Sequence, residues 1–137
     1  MFFPPAKPWK QVGAIDPDRE YVAFTSRFFM KSPRRVLRFL AQTGPIERQV
    51  DSAPGVVGWS LAVNMFKLEF YTLSAWQDAE SLRSLAHVAE HGAVMREFKD
   101  DMRRKNLFVH YSVRGRDLPL AWKEAVERQN SVEAARH

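Results

Sequence analysis

Two strand-like runs, Val56–Asn64 (VVGWSLAVN) and 66–76 (FKLEFYTLSAW), are separated by no more than a tight connection around Asn64 and Met65. That spacing predicts an antiparallel hairpin. Both runs are rich in β-branched and aromatic residues, so the pair should centre a sheet, and the rest of the chain is read around it.

Upstream, residues 21–30 (YVAFTSRFFM) alternate as a strand, with Val22, Phe24, Ser26, Phe28 and Met30 on one face and Tyr21, Ala23, Thr25, Arg27 and Phe29 on the other. Ser32 and Pro33 then supply a capping hydroxyl and a proline at the first helical position, which opens a helix through Val36, Leu37 and Leu40. Gly44-Pro45 should interrupt it, with a short continuation through Ile46 and Val50, and Pro54-Gly55 ends the region in a turn. Residues 1–20 hold four of the eight prolines and cannot sustain a helix or a central strand, so they are expected to form an arm.

Downstream, Asp78 is the expected N-cap of a helix whose apolar stripe is Leu82, Leu85, Ala86 and Ala89. At about 100° per residue, Val94, Met95, Phe98 and Met102 fall nearly opposite that stripe. One straight helix cannot bury both, which predicts a break between Ala86 and Gly92. His91 is in phase with the second stripe and should point inward. Residues 107–113 (LFVHYSV) form a fourth strand, with Leu107, Val109, Tyr111 and Val113 on one face and Phe108, His110 and Ser112 on the other. After a turn at Gly115 and Pro119, Leu120, Trp122, Ala125 and Val126 suggest a C-terminal helix with a frayed end.

The order strand, helix, strand, strand, helix, strand predicts an α+β, ferredoxin-like βαββαβ domain with a four-stranded antiparallel sheet and an extra C-terminal helix. The 137 residues divide into an N-terminal arm (1–20), the ferredoxin-like domain (21–118) and a C-terminal helix and tail (119–137). This is one domain with a sizeable core. There is no cysteine, which excludes disulfides, a thiol nucleophile and a thiolate metal site. No apolar run approaches the roughly 20 residues of a membrane span, and the start of the chain lacks a secretory pattern, so a soluble cytoplasmic protein with no membrane partner is expected. A formal charge of +5 gathers at Arg34, Arg35 and Arg38 and at Arg103, Arg104 and Lys105. With no nucleic-acid-binding motif, a solvated basic face is favoured over a nucleic-acid partner. Helices should cover one sheet face and leave the other as an apolar patch, so a homodimer packed sheet to sheet is expected, its C-terminal helix or N-terminal arm a candidate to cross over.

The run FYTLSAWQDAESLRSLAHVAEHGAVM, with Trp76, Asp78, Leu82 and His91, and the preceding PGVVG at Pro54 to Gly58, resemble the dimeric α/β-barrel superfamily, nearest to its antibiotic-biosynthesis-monooxygenase-like and uncharacterised monooxygenase-like members. The resemblance implies a homodimeric small-molecule-binding protein. It also implies cofactor-independent monooxygenation of a hydrophobic aromatic or polyketide-like substrate, with a non-catalytic ligand- or haem-binding protein of the same fold as the alternative. Haem enzymes of this fold carry a histidine later in the corresponding helix, where this chain has Met95, which counts against haem.

Among individual residues, His91 is the first candidate for a base or proton shuttle, set against a histidine held by a backbone carbonyl. Arg27 and His110 are candidate electrostatic partners, with an Arg27–Glu69 ion pair and a hydrogen-bonded sheet histidine as the structural alternatives. Trp59, Tyr71, Trp76 and Phe108 are candidate substrate-binding residues, against core or interface packing. His87 and His91 stand four apart but lack the glutamate of a zinc-protease motif, and no metal site is read.

Overall fold

A computed structural model describes residues 5–41, 43–86 and 105–136. In chain order the elements are β1 (Pro5–Gln11), β2 (Glu20–Phe29), α1 (Pro33–Ala41), α2 (Thr43–Asp51), β3 (Val56–Asn64), β4 (Glu69–Trp76), α3 (Ala79–Ala86), β5 (Leu107–Arg114) and α4 (Trp122–Ala135). The strands form one antiparallel sheet in the order β1-β3-β4-β2-β5. This is the expected ferredoxin-like arrangement with a fifth strand added at one edge.

Local signals set the element ends. The Ser32 hydroxyl accepts the Arg35 amide at 3.3 Å and opens α1 at Pro33. Helix α1 ends at Ala41 and α2 runs from Thr43, so Gly44-Pro45, where the interruption was expected, lies in the first turn of α2, and Gly55 closes the region at φ +83°, where a side chain would be strained. Asp78 Oδ1 accepts the Ser81 amide at 2.8 Å and caps α3. Strand β4 begins at Glu69 rather than residue 66, because Asn64 Oδ1 takes the Lys67 amide at 3.1 Å and Leu68 adopts φ 57°. That left-handed residue cannot continue a strand.

The expected arm contains β1. Pro5 and Pro8 are tolerated because β1 is an edge strand, and its register against β3 slips between Pro5 and Lys7 and again between Lys7 and Lys10. Gly58 makes the close approach of β1 feasible, since a Cβ there would lie 2.3 Å from Cζ2 of Trp9.

The two sheet faces have different covers. Phe28, Trp59, Leu61 and Phe70 pack with Val36 and Phe39 of α1, while Val56 and Trp76 pack with Leu85 of α3. Tyr21, Ala23, Val57, Leu73, Ala75 and Tyr111 lie on the opposite face, beneath Leu120 and Ala125, with Trp9, Ile15 and Trp122 around them. The face that the sequence leaves for a second copy is therefore covered within the chain. Its residues are buried in a single copy, so the exposed-patch argument for a sheet-to-sheet homodimer no longer applies. The C-terminal helix runs to Ala135, and Arg136 just beyond it donates to the Lys105 and Asn106 carbonyls at 3.0 and 2.6 Å.

The expected break between Ala86 and Gly92, the second stripe from Val94 to Met102, and His87 and His91 all lie outside the described residues. Among the described residues no helix is long and apolar enough to cross a membrane.

Candidate functional site

Directly paired residues of an antiparallel sheet point to the same face, so register decides which side chains can meet one bound molecule. One row runs Trp59, Ser74, Phe24, His110 across β3, β4, β2 and β5, and the next runs Leu61, Thr72, Ser26, Phe108. Both lie on the face packed against α1 and α3, and Val56, Trp76, Val22 and Ser112 make a third row beside them.

The middle of this face is small and polar. The Ser26 and Thr72 hydroxyls are hydrogen-bonded to one another, and Ser74 Oγ accepts Trp76 Nε1 at 2.8 Å. Larger aromatic groups stand around these hydroxyls. Phe24 stacks on Phe108 with centroids 6.2 Å apart, and Phe28 meets Phe108 edge-on at 5.8 Å. Phe108 is 54% exposed, His110 is exposed, and Phe24 and Thr72 are half-buried, so this end of the face is the part that a small molecule can reach. Aromatic walls over a floor of hydroxyls suit a flat organic molecule bearing oxygen substituents.

Trp59 occupies the other end of its row and is buried. Its Nε1 donates to Asp51 Oδ1 at 2.8 Å, and Lys10 Nζ reaches Asp51 Oδ2 at 2.6 Å. Burial pushes the Asp51 carboxyl upward, but the hydrogen bonds from Lys10 and Trp59 outweigh it and hold the group below the usual carboxylate range. Trp59 thus ties α2 to β3 and β1 as well as walling the face. Trp76 is fully buried with its one donor satisfied.

Arg27 and Tyr71 are directly paired with one another on the opposite face. The sheet lies between Arg27 and His110, so the two cannot act on one bound molecule within a single chain. Alternation places Arg27 three residues from Phe24, the partner of His110, and an odd offset along a strand changes face. Arg27 is a docking residue instead. Its Nε donates to Gln129 Oε1 at 2.9 Å, its Nη2 donates to Asn130 Oδ1 at 3.0 Å, and its guanidinium lies 5.3 Å from the Tyr71 ring centroid. Glu69 accepts the Tyr71 hydroxyl at 2.5 Å, where the sequence suggests an ion pair to Arg27.

Of the expected site residues, the structure brings Trp59, Trp76, Phe108 and His110 to one face and puts Arg27 and Tyr71 on the other, while His91 lies outside the described residues. The Met95 position that bears on haem lies outside them as well. Sequence reasoning missed Ser26, Thr72 and Ser74, ordinary strand residues until register aligns them. It also missed Gln129, for which helical spacing carried no warning. Among the described residues no three His, Asp or Glu side chains gather as metal ligands.

No family model matches the chain, and no curated protein matches it. Solved structures do. A variant of SnoaB, a cofactor-independent oxygenase from Streptomyces nogalater, is 17% identical with a TM-score of 0.56, over 73% of this chain and 98% of that one. A protein described as an antibiotic biosynthesis monooxygenase is 16% identical with a TM-score of 0.55, over 66% and 95%. A dimeric ferredoxin-like protein of unknown function from Thermobifida fusca is 9% identical with a TM-score of 0.57, over 69% and 92%. These three proteins are matched over 92–98% of their own lengths. The chain accordingly shares the ferredoxin-like fold of these solved structures.

Proposed function

We propose that the chain binds a small hydrophobic, aromatic or polyketide-like molecule on the helix-side face of its sheet and oxygenates it without a cofactor. The observation that carries this reading is the grouping of Phe24, Phe108 and His110 around the Ser26–Thr72 hydroxyl pair at the accessible end of that face. The description of SnoaB as a cofactor-independent oxygenase supports it. The cytoplasm is the proposed location.

The chemistry suited to such a site starts from an activated CH2 group flanked by aromatic rings. A histidine takes one proton, and the resulting carbanion delivers electrons to dioxygen. One oxygen atom ends as a new carbonyl on the substrate and the other leaves as water, so CH2 plus O2 gives C=O plus H2O and the substrate supplies all the electrons. His91 is the proposed base and His110 the proposed electrostatic partner, while the ring faces of Phe24 and Phe108 hold the substrate plane. Arg27 and Tyr71 have no part in this scheme.

An oxygen electrode with anthrone-type substrates tests the reading. The expected result is oxygen uptake by the purified chain with nothing added, reduced at least tenfold in His91→Ala and in His110→Ala, and a raised KM in Phe108→Ala. Quenching of tryptophan fluorescence by the same compounds without oxygen uptake would favour the non-catalytic binder. A Soret band on titration with haem would favour the haem-binding alternative. If none of the three signals is seen, the reading is wrong.

A further inference from the structure

A turn between two strands ordinarily carries glycine or polar residues, and the one between β3 and β4 carries Met65 and Phe66. Met65 is exposed, and Phe66, at 89%, is the most exposed large apolar side chain among the described residues. The turn itself is built by its ends: Asn64 Oδ1 accepts the Lys67 amide at 3.1 Å, and Leu68 takes φ 57°. Neither feature uses the side chain of residue 65 or 66, so this turn would form with polar residues in their place.

The charges behind this tip have one sign. The Met30 amide donates to the Leu68 carbonyl at 2.8 Å, so Lys31 and Lys67 flank a single contact between the end of β2 and the turn. Arg34 follows in the first turn of α1, and all three side chains are exposed. Lys105, also exposed, lies at the same end of the sheet, because Asn106 Oδ1 beside it accepts the Phe29 amide at 3.3 Å. Residues 27–41 and 61–76 contain one acidic residue, Glu69, which is buried and accepts the Tyr71 hydroxyl. These segments therefore bring no exposed carboxylate to offset the basic groups.

An apolar tip ahead of a group of cations has the layering of a bilayer surface, where an acyl boundary lies beyond a plane of negative headgroups. A nucleic acid offers the negative charge and a ring face for Phe66, but nothing for the side chain of Met65. Two apolar side chains are too little for a specific protein interface of about 800 Å² per partner, whereas lipid asks for no matching shape. We propose that this end of the sheet docks on a membrane surface rich in anionic phospholipid, with Phe66 and Met65 entering the acyl boundary and Lys31, Arg34 and Lys67 meeting the headgroups. Such a contact is weak and reversible and needs no spanning helix.

Co-sedimentation of the full chain with vesicles at low ionic strength tests this. Vesicles of phosphatidylcholine with about one-third phosphatidylserine should carry the native chain down at millimolar lipid, and phosphatidylcholine alone should bind it about tenfold more weakly. Phe66→Ser should lower the affinity about tenfold, and Lys31→Gln and Lys67→Gln about fivefold each. Arg114→Gln removes the same charge from an exposed position at the opposite end of β2, beside Glu20, and should bind as the native chain does. Phe66→Trp should keep the affinity and, relative to the native chain, shift fluorescence to the blue on the anionic vesicles. Absence of sedimentation with those vesicles, binding that Phe66→Ser leaves unchanged, an equal loss in Arg114→Gln, or an unmoved Phe66→Trp spectrum each overturns the proposal. Binding to a short nucleic-acid duplex in place of vesicles overturns it as well. Far-ultraviolet spectra matched to the native chain keep a lost fold from being read as lost binding. No substrate or oxygen enters these assays, so their failure is distinct from failure of the proposed function.

Discussion

The Nε of Arg27 donates to Oε1 of Gln129 at 2.9 Å, joining the middle of β2 to α4 across 102 positions of sequence. The same amide gives its Nε2 to Thr25 Oγ1 and the Ser26 carbonyl, so one glutamine satisfies three buried groups of the sheet. A guanidinium that is nine-tenths buried is costly to leave unpaired, and this gives the contact its leverage over the docking of α4.

Gln129→Leu keeps roughly the volume of the side chain and removes its hydrogen bonds to Arg27, Thr25 and the Ser26 carbonyl. It should lower unfolding stability in urea by about 2–4 kcal/mol, the range for leaving a buried charged or polar partner unsatisfied. Arg27→Leu added to Gln129→Leu should recover a good part of that loss, because the stranded charge is then gone. A double variant no better than the sum of its parts would show that Arg27 and Gln129 are not coupled.

Tyr111 provides an alkaline signature. Burial is the main reason its hydroxyl is pushed up to about 12, with the Glu124 charge adding to the shift and Arg128 opposing it. The folded value lies above the unfolded value of about 10. The stability linked to this group should therefore be complete below about pH 10 and drain away as the pH rises towards the folded value. Tyr111→Phe should remove that alkaline dependence while changing neutral-pH stability by no more than about 1 kcal/mol, since the hydroxyl lost has no partner among the described residues. Thermal unfolding between neutral and strongly alkaline pH, native against variant, measures both effects.

Asp51 should act in the acid range with the opposite sign. Its carboxyl is held low by Lys10 and Trp59 against the effect of burial, so the stability it contributes is present above the usual carboxylate range and is lost as pH falls through the lowered value. Trp59→Phe and Lys10→Ala should each flatten the acid side of the stability profile. Lys10 is more than half exposed, and its share should stay below about 1 kcal/mol and shrink in salt. Acid titrations of the two variants at low and high ionic strength give the comparison.

At the sheet edge, Gly58→Ala should act through β1. The new methyl group would overlap the Trp9 ring and also crowd the Lys10 carbonyl, 2.9 Å away, so β1 must shift or detach at a cost of about 1–3 kcal/mol. Faster amide exchange along β1, with β2 to β4 unchanged, is the expected result. Unaltered exchange at β1 would mean that the close approach is not what positions the strand.

The elements were largely legible because their signals are local. The Ser32 and Asp78 caps, the turn at Gly55, and the alternation within β2, β3, β4 and β5 each depend on a few neighbouring residues, and the order of those elements implied the ferredoxin-like sheet. Alternation even assigned Arg27 and Phe24 to different faces of β2, and Phe108 with His110 to one face of β5. Within a strand, however, no residue reports which face of a distant strand it will share. Only the register of β2 with β5 and β4 put His110 beside Phe24, gathered Ser26, Thr72 and Ser74 among aromatic rings, and left Arg27 facing away from them. The fifth strand and the docking of α4 were hidden for the same reason. Pro5 and Pro8 rule out a central strand but not an edge, and Gln129 becomes a core residue only when a segment about a hundred residues away supplies Arg27 and Thr25 as its partners. Local conformational preference is settled over a turn or two of chain, whereas pairing and burial are settled between elements that sequence does not place side by side.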